Sequence, residues 1–95
     1  LKECNECYGC EFEINEFIYG KMYHCDSFIV DGEIKFSTVS EYMYPCLEFV
    51  CGKPLGSFPL DENDELYGKI LKFNSVVLEA LNIPDGASHL EVIVT

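Results

Sequence analysis

Lys21-Met-Tyr-His-Cys-Asp-Ser-Phe-Ile-Val30, then Asp31-Gly32, then Glu33-Ile-Lys-Phe-Ser-Thr-Val39 is the stretch on which the fold turns. Two runs rich in β-branched and aromatic residues flank an Asp-Gly pair. A two-residue hairpin turn wants positive φ at both central positions, and Asp and Gly accept it at least cost. The stretch therefore predicts a β-hairpin. Counting back from the turn sets Val30 against Glu33, Ile29 against Ile34 and Ser27 against Phe36, with Cys25 near Thr38.

Working towards the N-terminus, Cys10, Phe12 and Ile14 alternate with Glu11, Glu13 and Asn15. That period of two predicts a half-buried strand, which Phe17, Ile18 and Tyr19 extend as far as Gly20. Residues 1–10 hold three cysteines and too few apolar groups to pack as an element of their own. The expected organisation is a cysteine-rich arm over 1–10 and a single β-rich domain over 11–95.

Towards the C-terminus, Ser40 to Tyr44 continues the strand or makes a helical turn, and Pro45 stops either. Leu47-Glu-Phe-Val50 reads as a short strand between Cys46 and Cys51. Gly52, Pro54, Gly56 and Pro59 mark 52–60 as a loop, and 61–65 reads as an acidic turn. Lys69 to Phe73 reads as a strand followed by a short helix near 75–82. Asn82 suits a left-handed helix end before Pro84. The competing reading is one helix from Asp64 to Leu81 with apolar residues at 66, 70, 73, 77 and 81. Gly68, Asn74 and the β-branched pair Val76-Val77 weigh against it. His89 to Thr95 is a terminal strand with Leu90, Val92 and Val94 on one face. Together these elements predict a mainly β fold, a small sandwich or barrel with one short helix and a cysteine-tethered N-terminal arm.

Within this region, Gly68-Lys-Ile-Leu-Lys-Phe73, then Leu78-Glu-Ala-Leu-Asn-Ile83, then Asp85-Gly86 and a Val-rich strand resembles the swapped-hairpin fold of AbrB-type transcription factors. The resemblance covers 68–94 and implies local structure. That family contacts DNA through basic residues, which this chain lacks, so no functional residue is carried across.

Charge narrows the function. Seventeen acidic residues face six basic ones, all lysine, for a net charge of -11. Phosphate-binding surfaces need clustered Lys and Arg to displace counterions, so nucleic-acid binding is not expected. Neither is membrane insertion, because no apolar run reaches the roughly 18–20 residues of a span. The expected partner is another protein or further copies of this chain. An acidic surface also suits solubility.

The six cysteines carry the remaining expectations. An even number in a short chain without an initiator methionine predicts a disulfide framework among Cys4, Cys7, Cys10, Cys25, Cys46 and Cys51, and with it an exported protein. The alternative is zinc on Cys7, Cys10, Cys46 and Cys51, with His24, Cys25 or Cys4 as substitutes, in a cytoplasmic ribbon-type adaptor. Cys4-x2-Cys7-x2-Cys10 opens like an iron–sulfur run, but Ile14 stands where the next cysteine belongs. Cys7-Tyr-Gly-Cys10 has redox spacing without the helix that would lower its thiol pKa.

Asp61-x-Asn63-x-Glu65 opens like a calcium loop, yet Leu66 and Lys72 occupy the places of the required Gly and Glu. His24 and His89 read as surface or satisfied core histidines. No phosphate loop or nucleophile elbow is present, so no catalytic residue is expected. The sequence thus predicts a non-enzymatic, disulfide-stabilised extracellular module for assembly or protein binding, without a cofactor. Tyr8, Tyr19, Tyr23, Tyr42, Tyr44 and Phe58 are its candidate contact aromatics.

Overall fold

Asp31 and Gly32 adopt φ of 53° and 74°, the paired positive values of the predicted turn. A computed structural model describes residues 13–95 of the chain. Around that turn lie β1, Lys21–Val30, and β2, Glu33–Tyr42. They are followed by β3, Ser57–Pro59, then α1, Glu65–Ala80, and β4, Gly86–Val94. All four strands form one antiparallel sheet in the order β3-β2-β1-β4. Among the described residues the fold is thus mainly β with one α-helix, but the sheet is single and open rather than a sandwich or barrel.

The hairpin register departs from a straight count. Val30 faces Glu33 and Ile29 faces Ile34 as predicted, but a bulge between Phe28 and Ile29 shifts the rest by one residue. Phe28 then faces Phe36, Ser27 faces Ser37, and Cys25 faces Val39 rather than Thr38. The extra residue on β2 is Lys35. A bulge of this kind re-aims every side chain beyond it. Here it turns Val39 inward beside Cys25, and both are fully buried.

Helix α1 corrects the favoured reading of 69–82. Asp64 caps it, its carboxylate accepting the Leu66 N–H at 2.8 Å. Glu65 places negative charge in the first turn and pairs with Lys69 at i,i+4, both favourable to a helix start. The inward stripe is Leu66, Ile70, Asn74 and Leu78. A polar residue in the middle of that stripe interrupts the apolar period and hides the helix from a pattern search. Phe73 and Leu81, placed on the apolar face by the competing one-helix reading, are exposed. Asn82 takes the predicted left-handed conformation at φ 48°. The AbrB-like strand over 68–73 is therefore helix.

Three further local readings are corrected. The stretch 52–60, read as a loop, contains β3, which pairs with the end of β2. Cys46–Cys51 is a short 3-10 helix, not a strand; Gly52, at φ 87°, closes it and donates its N–H to Phe49. Residues 13–19 form no strand, and all are exposed; the part of that reading over 10–12 lies outside the described residues. The cysteine arm over 1–10 also lies outside them. The chain enters β1 through Gly20, where any Cβ would collide with the Val94 carbonyl.

The core lies between the sheet and α1. Tyr23, Cys25, Val39 and Ile70 form its centre, with Leu66, Tyr67, Leu71, Leu90, Val92 and Val94 packed around them. Leu90, Val92 and Val94 share one face as predicted. Below the apolar centre runs a polar seam. Asn74 donates to Ser27 Oγ at 2.9 Å, and Ser27 meets Ser37 at 2.7 Å. Helix α1 thus covers one face of the sheet and leaves the other open.

Candidate functional site

The open face is built by the alternate residues of the same strands. On β1 these include His24 and Asp26, and on β4 His89 and Glu91. The pairing sets Asp26 against His89 and His24 against Glu91. Each strand carries an H-x-acid unit, and period two sends both members of a unit to the same side. Antiparallel pairing then brings the two units together.

Asp26 is the hub. His24 Nδ1 lies 2.7 Å from Asp26 Oδ2, and His89 Nδ1 lies 2.5 Å from Asp26 Oδ1. One carboxylate therefore accepts from two imidazoles, whose ring centroids are 5.0 Å apart. Partial burial opposes ionisation of Asp26, but the hydrogen bonds from His89 and His24 outweigh it and hold the carboxyl below its usual range. The Asp26 hydrogen bond in turn holds the His89 pKa above that of a free histidine, against a smaller cost of burial.

A second ring of groups surrounds the hub. His24 Nε2 lies 2.8 Å from Ser57 Oγ on β3. Ser40, on β2, pairs with both His24 and Pro59, which places it between β1 and β3 beside this contact. Tyr42 donates its hydroxyl to Glu91 at 2.9 Å and sits 3.4 Å from His89 Nε2. Burial, then the Glu91 carboxylate, raises the Tyr42 pKa well above normal, so the phenol keeps its proton. The Cys46 thiol approaches the same Glu91 oxygen at 3.7 Å, and burial raises its pKa too. His24 is the shielded member of the hub, with a side chain 11% exposed, against 41% for Asp26 and 51% for His89. Beside this polar cluster lies an apolar groove of about 900 Å³, lined by Phe17, Ile18, Met22, Leu47, Val50 and Ile93 among others.

The cysteines do not organise this arrangement. Cys25, Cys46 and Cys51 are free thiols. Cys25 is sealed under α1 and burial raises its pKa, while the other two end the 3-10 helix. No disulfide is present among the described residues, and Cys4, Cys7 and Cys10 lie outside them, as do two of the four proposed zinc ligands. Among the contact aromatics, Tyr23 is core at 3% exposure, Tyr42 belongs to the cluster, and Tyr19, Tyr44 and Phe58 are exposed. Tyr8 lies outside the described residues. Asp61 turns its carboxylate onto the Asn63 N–H and side-chain amide, as an acidic turn does.

Sequence reasoning passed over Asp26, Ser57 and Glu91 and treated the two histidines singly. The available signal was the repeated unit itself, His24-x-Asp26 and His89-x-Glu91, each within a strand.

The chain matches no family model. It is similar to an L-arginine-specific L-amino acid ligase of Bacillus subtilis, 43% identical over 70 residues. The matched stretch is 74% of this chain but only 17% of that protein. A likeness of that strength to a portion of an enzyme, together with the free thiols, overturns the expectation of a disulfide-stabilised extracellular structural module.

Proposed function

We propose that this chain is a portion of an amino-acid ligase and that its open sheet face forms part of the wall of the active site. The observation that carries the proposal is the 43% identity to 70 residues of the arginine-specific ligase. The geometry adds support. A scaffold piece would need only the covered face. This sheet also presents two imidazoles, two carboxylates, a phenol and a hydroxyl within mutual reach, beside an apolar groove. Pockets of that kind, mostly apolar with a few convergent polar groups, are where small ligands bind.

Joining two free amino acids in water is uphill, so the carboxyl must first be activated at the expense of a co-substrate such as a nucleoside triphosphate. The wall proposed here contributes charge and proton positions to that chemistry. His89, whose pKa the Asp26 hydrogen bond raises, offers an N–H donor to developing negative charge. The carboxylates of Asp26 and Glu91 suit a cationic group such as an ammonium or guanidinium. The remaining elements of the site belong to the rest of such an enzyme.

The test is ligation by the whole protein in which this chain occurs. L-arginine, a second amino acid and a nucleoside triphosphate are supplied, and dipeptide and released phosphate are measured together. Dipeptide formation is expected, with kcat/KM reduced about 100-fold or more in Glu91→Gln and His89→Ala, the scale of losing one preorganised transition-state contact. Absence of amino-acid-dependent phosphate release with every amino-acid pair refutes the proposal.

A further inference from the structure

The hub of the open face has a second property besides its hydrogen bonds. One ligand atom from each of His24, Asp26 and His89 lies within 4.8 Å of the others. We infer that these three residues form a binding site for a divalent transition cation of the zinc, cobalt or nickel class. Two imidazole nitrogens and one carboxylate are the donor set those ions favour over magnesium or calcium, which prefer oxygen. Three protein ligands leave a fourth position open, the arrangement of a reactive rather than a purely structural site.

The stronger argument lies in the outer partners. A metal-binding histidine needs its other ring nitrogen held by a group that fixes the tautomer. Both histidines here have one. His24 Nε2 faces Ser57 Oγ at 2.8 Å. His89 Nε2 faces the Tyr42 hydroxyl at 3.4 Å and Glu91 Oε1 at 3.6 Å. All three outer groups have an oxygen that can accept a hydrogen bond. When the hub holds no ion, Nδ1–H of each ring donates to Asp26, and the Ser57 hydroxyl donates to His24 Nε2. When an ion binds, the ring protons reside on Nε2, that of His24 pointing to Ser57 Oγ and that of His89 to the Tyr42 oxygen. The Nδ1 lone pairs and the Asp26 carboxylate then face the cation. The exchange needs a tautomer change and a rotated hydroxyl. Tetrahedral zinc ligands sit roughly 3.3 Å apart, given bonds of about 2.0–2.1 Å. The two hydrogen-bonded contacts of 2.7 and 2.5 Å therefore open by less than 1 Å.

This inference goes beyond the ligase reading, because binding is measured without turnover. The probe is Co²⁺ added to the reduced full chain, followed by visible absorbance. Cobalt separates nitrogen and oxygen ligands from cysteine, whose thiolates give an intense near-ultraviolet band. A single site without that band is expected. His89→Ala and Asp26→Asn should weaken it about 100-fold or more. Ser57→Ala should weaken it about 10–100-fold, as loss of an outer partner does. His89 is half exposed, so its removal leaves the fold intact, which circular dichroism checks. Absence of Co²⁺ binding, a thiolate band, or affinity unchanged in His89→Ala overturns the inference. Ligation that fails while Co²⁺ binding persists counts against the ligase reading alone.

Discussion

The two faces of the sheet come from the same strands and do different work. On β1, Tyr23, Cys25, Ser27 and Ile29 face α1, while His24 and Asp26 face the other way. The covered face holds the buried apolar centre. The open face holds titratable groups bound to one another. Covering a surface with a helix removes water and rewards apolar area. Leaving it open keeps charged groups solvated enough to exist and to meet a ligand. The contrast teaches that stability and chemistry are separated here by a single-residue alternation. The bulge at Lys35 matters because, on β2, it decides which residues fall on which side.

The comparison breaks most visibly at Ile70. Ile70→Ala removes a buried side chain from the centre of the covered face and should cost about 2–5 kcal/mol, read as a fall in the midpoint of urea unfolding. A smaller loss, near 1 kcal/mol, is expected for Asn74→Ala, the value of one net hydrogen bond. Asn74 is 1% exposed, and its Oδ1 has no partner, so removing the amide also removes an orphaned acceptor. A cost above about 3 kcal/mol would show the seam to be worth more than its visible bonds.

On the solvent side of α1 the sign reverses. A Cβ at Gly68 meets nothing, so Gly68→Ala should stabilise by about 0.5–1 kcal/mol. On the open face, His89→Ala should cost no more than about 1 kcal/mol, the scale of a solvent-exposed ion pair such as that with Asp26. A large loss there would mean that the open face holds the fold together, and the contrast between the faces would fail.

The smallest effect is expected at Asp85, remote from both faces. Its carboxylate accepts the Gly32 and Asp31 N–H groups at 3.0 and 2.8 Å, and these bonds lower its pKa. Its folded pKa lies below its unfolded one, so its contribution is present above the ordinary aspartate range. It is lost as pH falls through the lowered value. Asp85→Asn should therefore flatten the acid side of a melting-temperature profile slightly and leave the site untouched.

These elements also differ in how far they could be read from sequence. The hairpin was legible because its signal is local: Asp31-Gly32 between two β-rich runs. Its register was misread by one residue because nothing in the residues around Lys35 marks the bulge. Asn74 hid the helix by occupying an inward position that pattern reading reserves for an apolar side chain. The site escaped for a different reason. His24 and Asp26 stand more than 60 residues from His89 and Glu91 along the chain. Only the pairing of β1 with β4 joins them, and no local pattern encodes that pairing. Cysteine counting pointed elsewhere, since the described thiols lie under the helix or at the ends of a 3-10 turn.

The strand order carries a consequence in time. β1 meets β2 through a two-residue turn but meets β4 only after β3 and α1 have been made. Contacts between distant segments incur their loop-closure entropy before they return anything, so they form late. The hairpin can assemble early with His24 and Asp26 already side by side. Arrival of β4 delivers His89 and Glu91 in one step. The hydrogen-bonded hub is thus a marker of the final docking event, and a probe on His89 during refolding should report completion of the sheet rather than its beginning.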